Sequence, residues 1–204
     1  METTPRERQS GATRRRVLDA VFRLVAEGGV SEASLRKVAD ASGVNIGSVR
    51  HYFGSHEALM TAAAEEAGAR MERRLAPVLG GGPPPAEAEE RRAHVEAVAR
   101  ALLPLRPEER AELIVLVEFV TAARLRPEFR PLARRMGADM REVFRRALRT
   151  ARVPRADLEA ERLVALVEGL TYELVYPHGA TGAPGPADVL RHHLAALIPT
   201  DTPS

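Results

Sequence analysis

Ser34-Leu35-Arg36-Lys37-Val38-Ala39-Asp40-Ala41-Ser42-Gly43-Val44-Asn45-Ile46-Gly47-Ser48-Val49-Arg50-His51-Tyr52-Phe53 reads as two short helices with a sharp turn between them. Ser34 is a strong N-cap, and Leu35, Val38 and Ala39 share one face of a helix over 35–42. Gly43 stops that helix, because glycine enters the left-handed region without a steric penalty. Asn45 caps a second helix over 46–52, with Val49 and Phe53 four residues apart and pointing inward. Two short helices joined at a Gly-containing turn form the helix-turn-helix layout, here over 34–53.

The flanking sequence supplies a core for this pair. A helix over 13–27 carries Val17, Leu18, Val21, Phe22 and Val25 as one stripe, and Gly28-Gly29 ends it. Ser55 caps a fourth helix that runs to residue 79, with Glu57 well placed for the positive end of its dipole. Gly80-Gly81-Gly82-Pro83-Pro84-Pro85 breaks the pattern and reads as a linker. A phosphate cradle would need Lys-Ser/Thr after the glycines, and none follows.

Helix periodicity continues to the end, and no segment alternates over a strand length, so the expected class is all-α with about nine helices. The remaining helices are expected at 86–103, ending at Pro104, then at 107–125, opening on Pro107, and at 128–151, 155–176 and 186–198. The run from Leu113 to Val120 is apolar almost all round, which predicts a helix enclosed by others. A Gly- and Pro-rich loop is expected at 177–185 and a frayed, flexible tail at 199–204.

Composition excludes several chemistries. The 204 residues contain no cysteine, which removes disulfides, thiolate metal sites and thiol nucleophiles. The six histidines, His51, His56, His94, His178, His192 and His193, form no ligand-spaced pair, so neither a metal nor another cofactor is expected. No catalytic motif occurs, and a helical enzyme or carrier is the reading from another class. No run of 18 apolar residues and no signal-like start is present, so no membrane is expected and a cytoplasmic location is the default. The net charge of +2 arises in residues 1–60, with nine basic and seven acidic residues; the rest carries 21 of each. A basic amino end on a neutral body suits a protein that meets an anion at that end.

The stretch quoted above, continued through Gly54-Ser55-His56-Glu57-Ala58-Leu59, resembles the amino-terminal domain of the TetR family. The shared pattern is a small polar residue before the second helix, Val-Ala, Gly-Val, a polar cap, a Gly-Ser pair, an aromatic-Phe pair and an apolar fourth helix. The resemblance covers about residues 11–70 and implies a three-helix DNA-binding domain there, followed by a larger helical ligand-binding and dimerisation domain over 71–198. It implies double-stranded operator DNA and a small-molecule inducer as partners, and a homodimer that acts as a repressor. Glu118-Phe119-Val120-Thr121-Ala122-Ala123, then Arg126-Pro127-Glu128-Phe129-Arg130 and Val167-Glu168-Gly169-Leu170, are similar to the BetI-like branch.

By that resemblance Arg36, Ile46, Gly47, Ser48, Arg50 and Tyr52 occupy DNA-contact positions, with Asn45 at the helix start. The chemistry agrees: Arg36 can pair with guanine O6 and N7, Ser48 with a base edge or a phosphate, Tyr52 with a phosphate, and Arg50 with either. Two positions depart from the family. Arg50 stands where an aromatic is usual, and His56 stands where Lys is usual, which would make one phosphate contact pH-dependent. Arg14, Arg15 and Arg16 open the first helix as this reading bounds it, where cations oppose the dipole. They read either as a solvated charge run or as a phosphate contact.

For the larger domain the resemblance places a pocket among helices four to seven, with candidate residues Leu102, Leu116, Phe119, Met136, Met140, Phe144 and Tyr172. Plain core packing is the competing reading of each. Glu118 and Glu173 lie in apolar helices and suit either a cationic ligand or an exposed edge. The wide apolar faces of the last two helices suggest a dimeric four-helix bundle through Leu163, Leu166, Val167, Leu170, Leu174, Leu190, Leu194 and Leu197.

Overall fold

The computed structural model describes residues 5–80, 85–103, 105–106, 109–178 and 182–200. Among them are nine α-helices, two short 3-10 turns and no strand. The helices are α1 Pro5–Gly28, α2 Leu35–Ser42, α3 Ile46–Phe53, α4 His56–Leu79, α5 Ala88–Leu102, α6 Arg110–Ala122, α7 Arg130–Thr150, α8 Ala156–Val175 and α9 Pro186–Leu197. They form two compact units. The first is Met1–Ala69 with Pro107–Ala133, and the second is Arg70–Arg106 with Arg134–Ser204. A single cut after residue 70 therefore does not describe the packing: α6 belongs with α1, α2 and α3.

The first unit is built on the α1 stripe. Val17, Leu18, Val21, Phe22 and Val25 are all buried, with Val38 and Ala39 of α2 and Val49 and Phe53 of α3. Helix α1 begins eight residues before the expected start at 13. Between Pro5 and Val17 the only apolar side chain besides proline is the small Ala12, too little to mark a periodicity, and Pro5 is compatible with a first helical turn. Gly29, at φ 81°, ends α1 and donates its N–H to Val25 O at 2.9 Å. Ser34 Oγ accepts the Lys37 N–H at 3.3 Å, which starts α2. Gly43 then turns the chain at φ 63°, with the N–H of Val44 reaching Ala39 O at 3.1 Å. From α1, Arg23 donates Nη2–H to Ala41 O at 3.0 Å and satisfies a carbonyl at the α2 end.

Helix α6 packs on α1. It is less enclosed than its apolar sequence implies. Leu113, Val115 and Phe119 are buried, but Val120 is 50% exposed. It also ends at Ala122, three residues short of the expected 125, and Leu125 is 71% exposed in the turn that follows. The physical cause is a different set of partners for the last carbonyls: Arg130 donates to Ala123 O and Arg124 O, both at 3.2 Å. A 3-10 turn at Pro127–Phe129 buries Phe129 against Phe119, ring centroids 4.7 Å apart. The expected α6 start at Pro107 and the expected stop of α5 at Pro104 lie outside the described residues, as do 81–84 of the linker, 179–181 of the later loop and 201–204 of the tail.

In the second unit, Glu87 and Glu90 form a capping box at the start of α5, and α5 packs on α9. Its core holds Val95, Val98, Leu103, Phe144, Leu148, Leu163, Val164, Leu190 and Leu194. Arg141 pairs with Glu161 at 2.9 Å, while Arg145 and Arg149 reach Asp157 at 3.0 and 2.9 Å, which ties α7 to α8 along their exposed edges.

The left-handed turn at Gly43 generates a stability test. Gly43→Ala places a Cβ in a conformation that L residues avoid, so unfolding in urea should show a loss of about 1 kcal/mol. A variant as stable as the parent would contradict the turn geometry.

Candidate nucleic-acid interface

The outward face of α3 is set by its inward one. Val49 and Phe53 are buried, so residues rotated away from them meet solvent. Gly47, Arg50, His51 and Tyr52 are exposed, and Ile46 and Ser48 are half-buried. Tyr52 is 37% exposed, with its ring edge-on to His51 at 5.8 Å. Arg36 is exposed on the first turn of α2. Its neighbour Lys37 is committed elsewhere, to an ion pair with Glu32. His51, which the family resemblance does not place at a contact position, is exposed on the same face of α3.

Two candidates have structural duties as well. Asn45 Oδ1 accepts the Gly47 N–H at 2.7 Å, so this oxygen is occupied as the cap of α3. A Cβ at position 47 would stand 3.0 Å from that same oxygen. Gly47 is thus fitted to the cap, beyond any advantage of a close backbone approach to a groove.

The start of α4 is crowded. Ser55 Oγ accepts the Ala58 N–H at 3.1 Å, and His56 is half-buried at the first position of the helix. Glu57 receives a 2.9 Å hydrogen bond from Arg126 Nη1–H, and the Arg126 guanidinium also lies over the Phe129 ring at 5.8 Å. Its own backbone N–H, then the Ser55 hydroxyl and Arg126, hold the Glu57 carboxyl below the ordinary range. The link joins the segment after α6 to the first turn of α4, within the first unit.

Helix α1 changes the reading of its arginines. Starting at Pro5, it places Arg14, Arg15 and Arg16 roughly three turns in, beyond the reach of its amino-end dipole. The expectation that they oppose the dipole therefore lapses. All three are exposed, and Arg14 lies over the Phe53 ring at 5.9 Å.

The candidate pocket residues separate. Leu116 and Phe119 belong to the first unit; Leu102, Met136, Met140, Phe144 and Tyr172 belong to the second. Phe119 packs on Phe129, and Leu102 and Phe144 are buried. Leu116, Met136 and Met140 are half-buried. Tyr172 does not line an interior: it is 53% exposed and clusters with Tyr176 at 5.1 Å and His178 at 5.7 Å. Of the candidate dimer residues, Leu163, Val167, Leu190 and Leu194 are buried within the chain itself, because the apolar faces of α8 and α9 are largely consumed by the chain's own core. Those four cannot serve a partner without unpacking. Leu166, Leu170, Leu174 and Leu197 are half-buried and keep surface to offer. Among the described residues no group of three His, Asp or Glu is placed to hold a metal ion, and no helix is long and apolar enough to cross a membrane.

Comparison with known proteins adds to this geometry. Residues 17–63 match the model of bacterial regulatory proteins of the tetR family, and residues 91–199 match that of the C-terminal region of BetI-type transcriptional repressors. No curated protein matches the chain. Among solved structures, a transcriptional regulator from Rhodococcus sp. Rha1 is similar at 28% identity and a TM-score of 0.74, over 91% of this chain and 93% of that one. The multidrug binding protein EbrR, complexed with imidazole, is similar at 27% identity and a TM-score of 0.62, over 98% and 93%. A transcriptional regulator from Saccharomonospora viridis, in complex with choline, shares the fold at 24% identity and a TM-score of 0.72, over 92% and 96%.

Two outcomes are expected from the caps. Asn45→Ala should cost about 1 kcal/mol of stability in denaturant titration, as loss of an N-cap does. The Glu57 effect depends on pH. A carboxyl held below its ordinary value stabilises the fold above about pH 4.5 and loses that effect as pH falls through the lowered value. Thermal midpoints of Glu57→Gln should therefore lie below those of the parent at pH 7 and converge with them in acid; a constant gap would refute the assignment.

Proposed function

Because the chain belongs to the tetR family of bacterial regulatory proteins, which are non-enzymatic DNA-binding transcription factors, and carries the C-terminal region of BetI-type repressors, we propose that it is a cytoplasmic repressor released from a palindromic operator by a small molecule. The observation that carries this reading is the α3 surface. Gly47, Arg50 and Tyr52 are presented outward on a helix held from behind by buried Val49 and Phe53. In this reading Ile46 and Gly47 lie against the floor of the major groove, Ser48 and Arg50 reach base edges or phosphates, and Tyr52 and His56 bind phosphate. Arg36 reads guanine as a fork.

In this reading residues 11–70 read DNA, and 71–198 bind the ligand and dimerise, with α6 of that stretch packed in the first unit. Two copies join through the surfaces of α8 and α9 that remain open, at Leu166, Leu170, Leu174 and Leu197. Dimerisation sets the two α3 helices roughly 34–36 Å apart, one turn of duplex. The inducer is a small apolar or amphipathic molecule. The relatives bound to choline and to imidazole support a small-ligand site in this family of folds. Helix α6 carries the effect, since Leu116 and Phe119 lie on it and its trailing segment holds Glu57 at the start of α4. A regulator without a ligand is the second reading, favoured by Phe119, which is already packed against Phe129.

Selection of bound sequences from a random duplex pool tests the proposal. A palindrome is the expected product, and recovery of no duplex at all would remove the reading. With that palindrome, Arg36→Ala should weaken binding by about 1–3 kcal/mol and relax one base position. Equal weakening on all sequences would make Arg36 a backbone contact.

A further inference from the structure

We infer that Arg14 is a phosphodiester contact, pre-positioned by the recognition helix itself; this deepens the DNA-binding reading above and rests on it. Arg14 stands one turn before Val17 and Leu18, on the same side of α1 as the buried stripe. An apolar residue would continue the stripe at that position. Here the stripe runs out at a guanidinium, which lies 5.9 Å from the Phe53 ring centroid. Phe53 is the last residue of α3 and is only 7% exposed, so the ring is a fixed platform. Next to it is Tyr52, one of the exposed residues that faces the proposed duplex.

The chemistry follows from the fork. Arg14 carries five N–H donors, and among the described residues no acceptor engages them, whereas Arg23, Arg126 and Arg130 of the same unit all donate to protein oxygens. A guanidinium attracted to the face of a ring keeps its N–H donors available to an anion and is steadied in place. A phosphate oxygen pair is the anion such a fork fits, and a side chain already held in place loses little freedom on binding it. Arg15 and Arg16 are rotated about 100° and 200° around the helix from Arg14, so the three consecutive arginines are not equivalent. Of the three, Arg14 is the one that lies against α3 among the described residues. The contact is to the backbone, so it adds affinity without adding base preference.

The test compares Arg14→Ala, Arg14→Lys and Arg16→Ala in the full chain, titrated with the selected palindrome and with a mixed-sequence duplex over a range of salt concentrations. Arg14→Ala should weaken binding to both duplexes by about tenfold and reduce the slope of log affinity against log salt by about one for each contacted phosphate. Arg14→Lys should recover part of the loss, because it restores the charge but not the planar fork. Arg16→Ala should stay within about twofold of the parent, as expected of a solvated charge. Arg14 is exposed, and circular dichroism of the variants should match the parent. Equal losses for Arg14→Ala and Arg16→Ala would overturn the inference, as a general field effect. So would an Arg14→Ala variant that binds like the parent, or one that loses base preference instead of uniform affinity. Those results leave the DNA-binding reading standing. A parent chain that binds neither duplex brings down that reading and this inference together.

Discussion

Burial of Val49 and Phe53 fixes the rotation of α3 about its own axis, and the DNA-facing surface of the first unit follows from that angle. Each such side chain gains about 1.5–3 kcal/mol from leaving water, far more than any exposed polar contact on the opposite face can contribute. The helix has only eight residues and would not hold its conformation alone. It persists because α1 and α2 supply the apolar wall and because Asn45 and Gly43 set where it starts. Ser48, Arg50 and Tyr52 are then free to be chosen for their chemistry, since the helix is held by its buried pair and its cap.

Much of this was legible in the residues. Ser34, Gly43 and Asn45 mark boundaries by local chemistry, and the structure uses each as expected. What escaped the sequence was information that local chemistry does not carry. The amino end of α1 contains no large apolar residue, so periodicity is silent there although the helix continues. The end of α6 is decided by Arg130, a residue from the next element. Apolar faces on α8 and α9 advertise burial without saying whose. Leu163, Val167, Leu190 and Leu194 are satisfied within the chain, and only position in the fold distinguishes them from Leu166 and Leu170. The resemblance offered Tyr172 as a pocket residue, yet here the ring lies on the surface, tilted against Tyr176 and edge-on to His178.

The first unit also shows how a late segment of the chain can sit on an early one. Helix α6 packs on α1, and the turn after it delivers Arg126 to Glu57 while Phe129 closes on Phe119. A shift of α6 along its axis would move the aromatic pair and the ion pair as one body. Both lie within a single densely packed unit, where packed side chains switch between discrete arrangements and deform little in between.

The cap of α3 has a bearing on how such a protein changes its preferences over time. A Cβ at position 47 would press on the Asn45 oxygen that caps the helix, so a side chain there disturbs the cap unless that oxygen gives way. Retargeting the reading head is thereby channelled towards Arg36, Ser48 and Arg50, whose replacements leave the cap and the buried anchors untouched. Lineages of this fold that keep an Asn-x-Gly start would diversify at those three places first, and a designer who wants a new operator has the same three to work with.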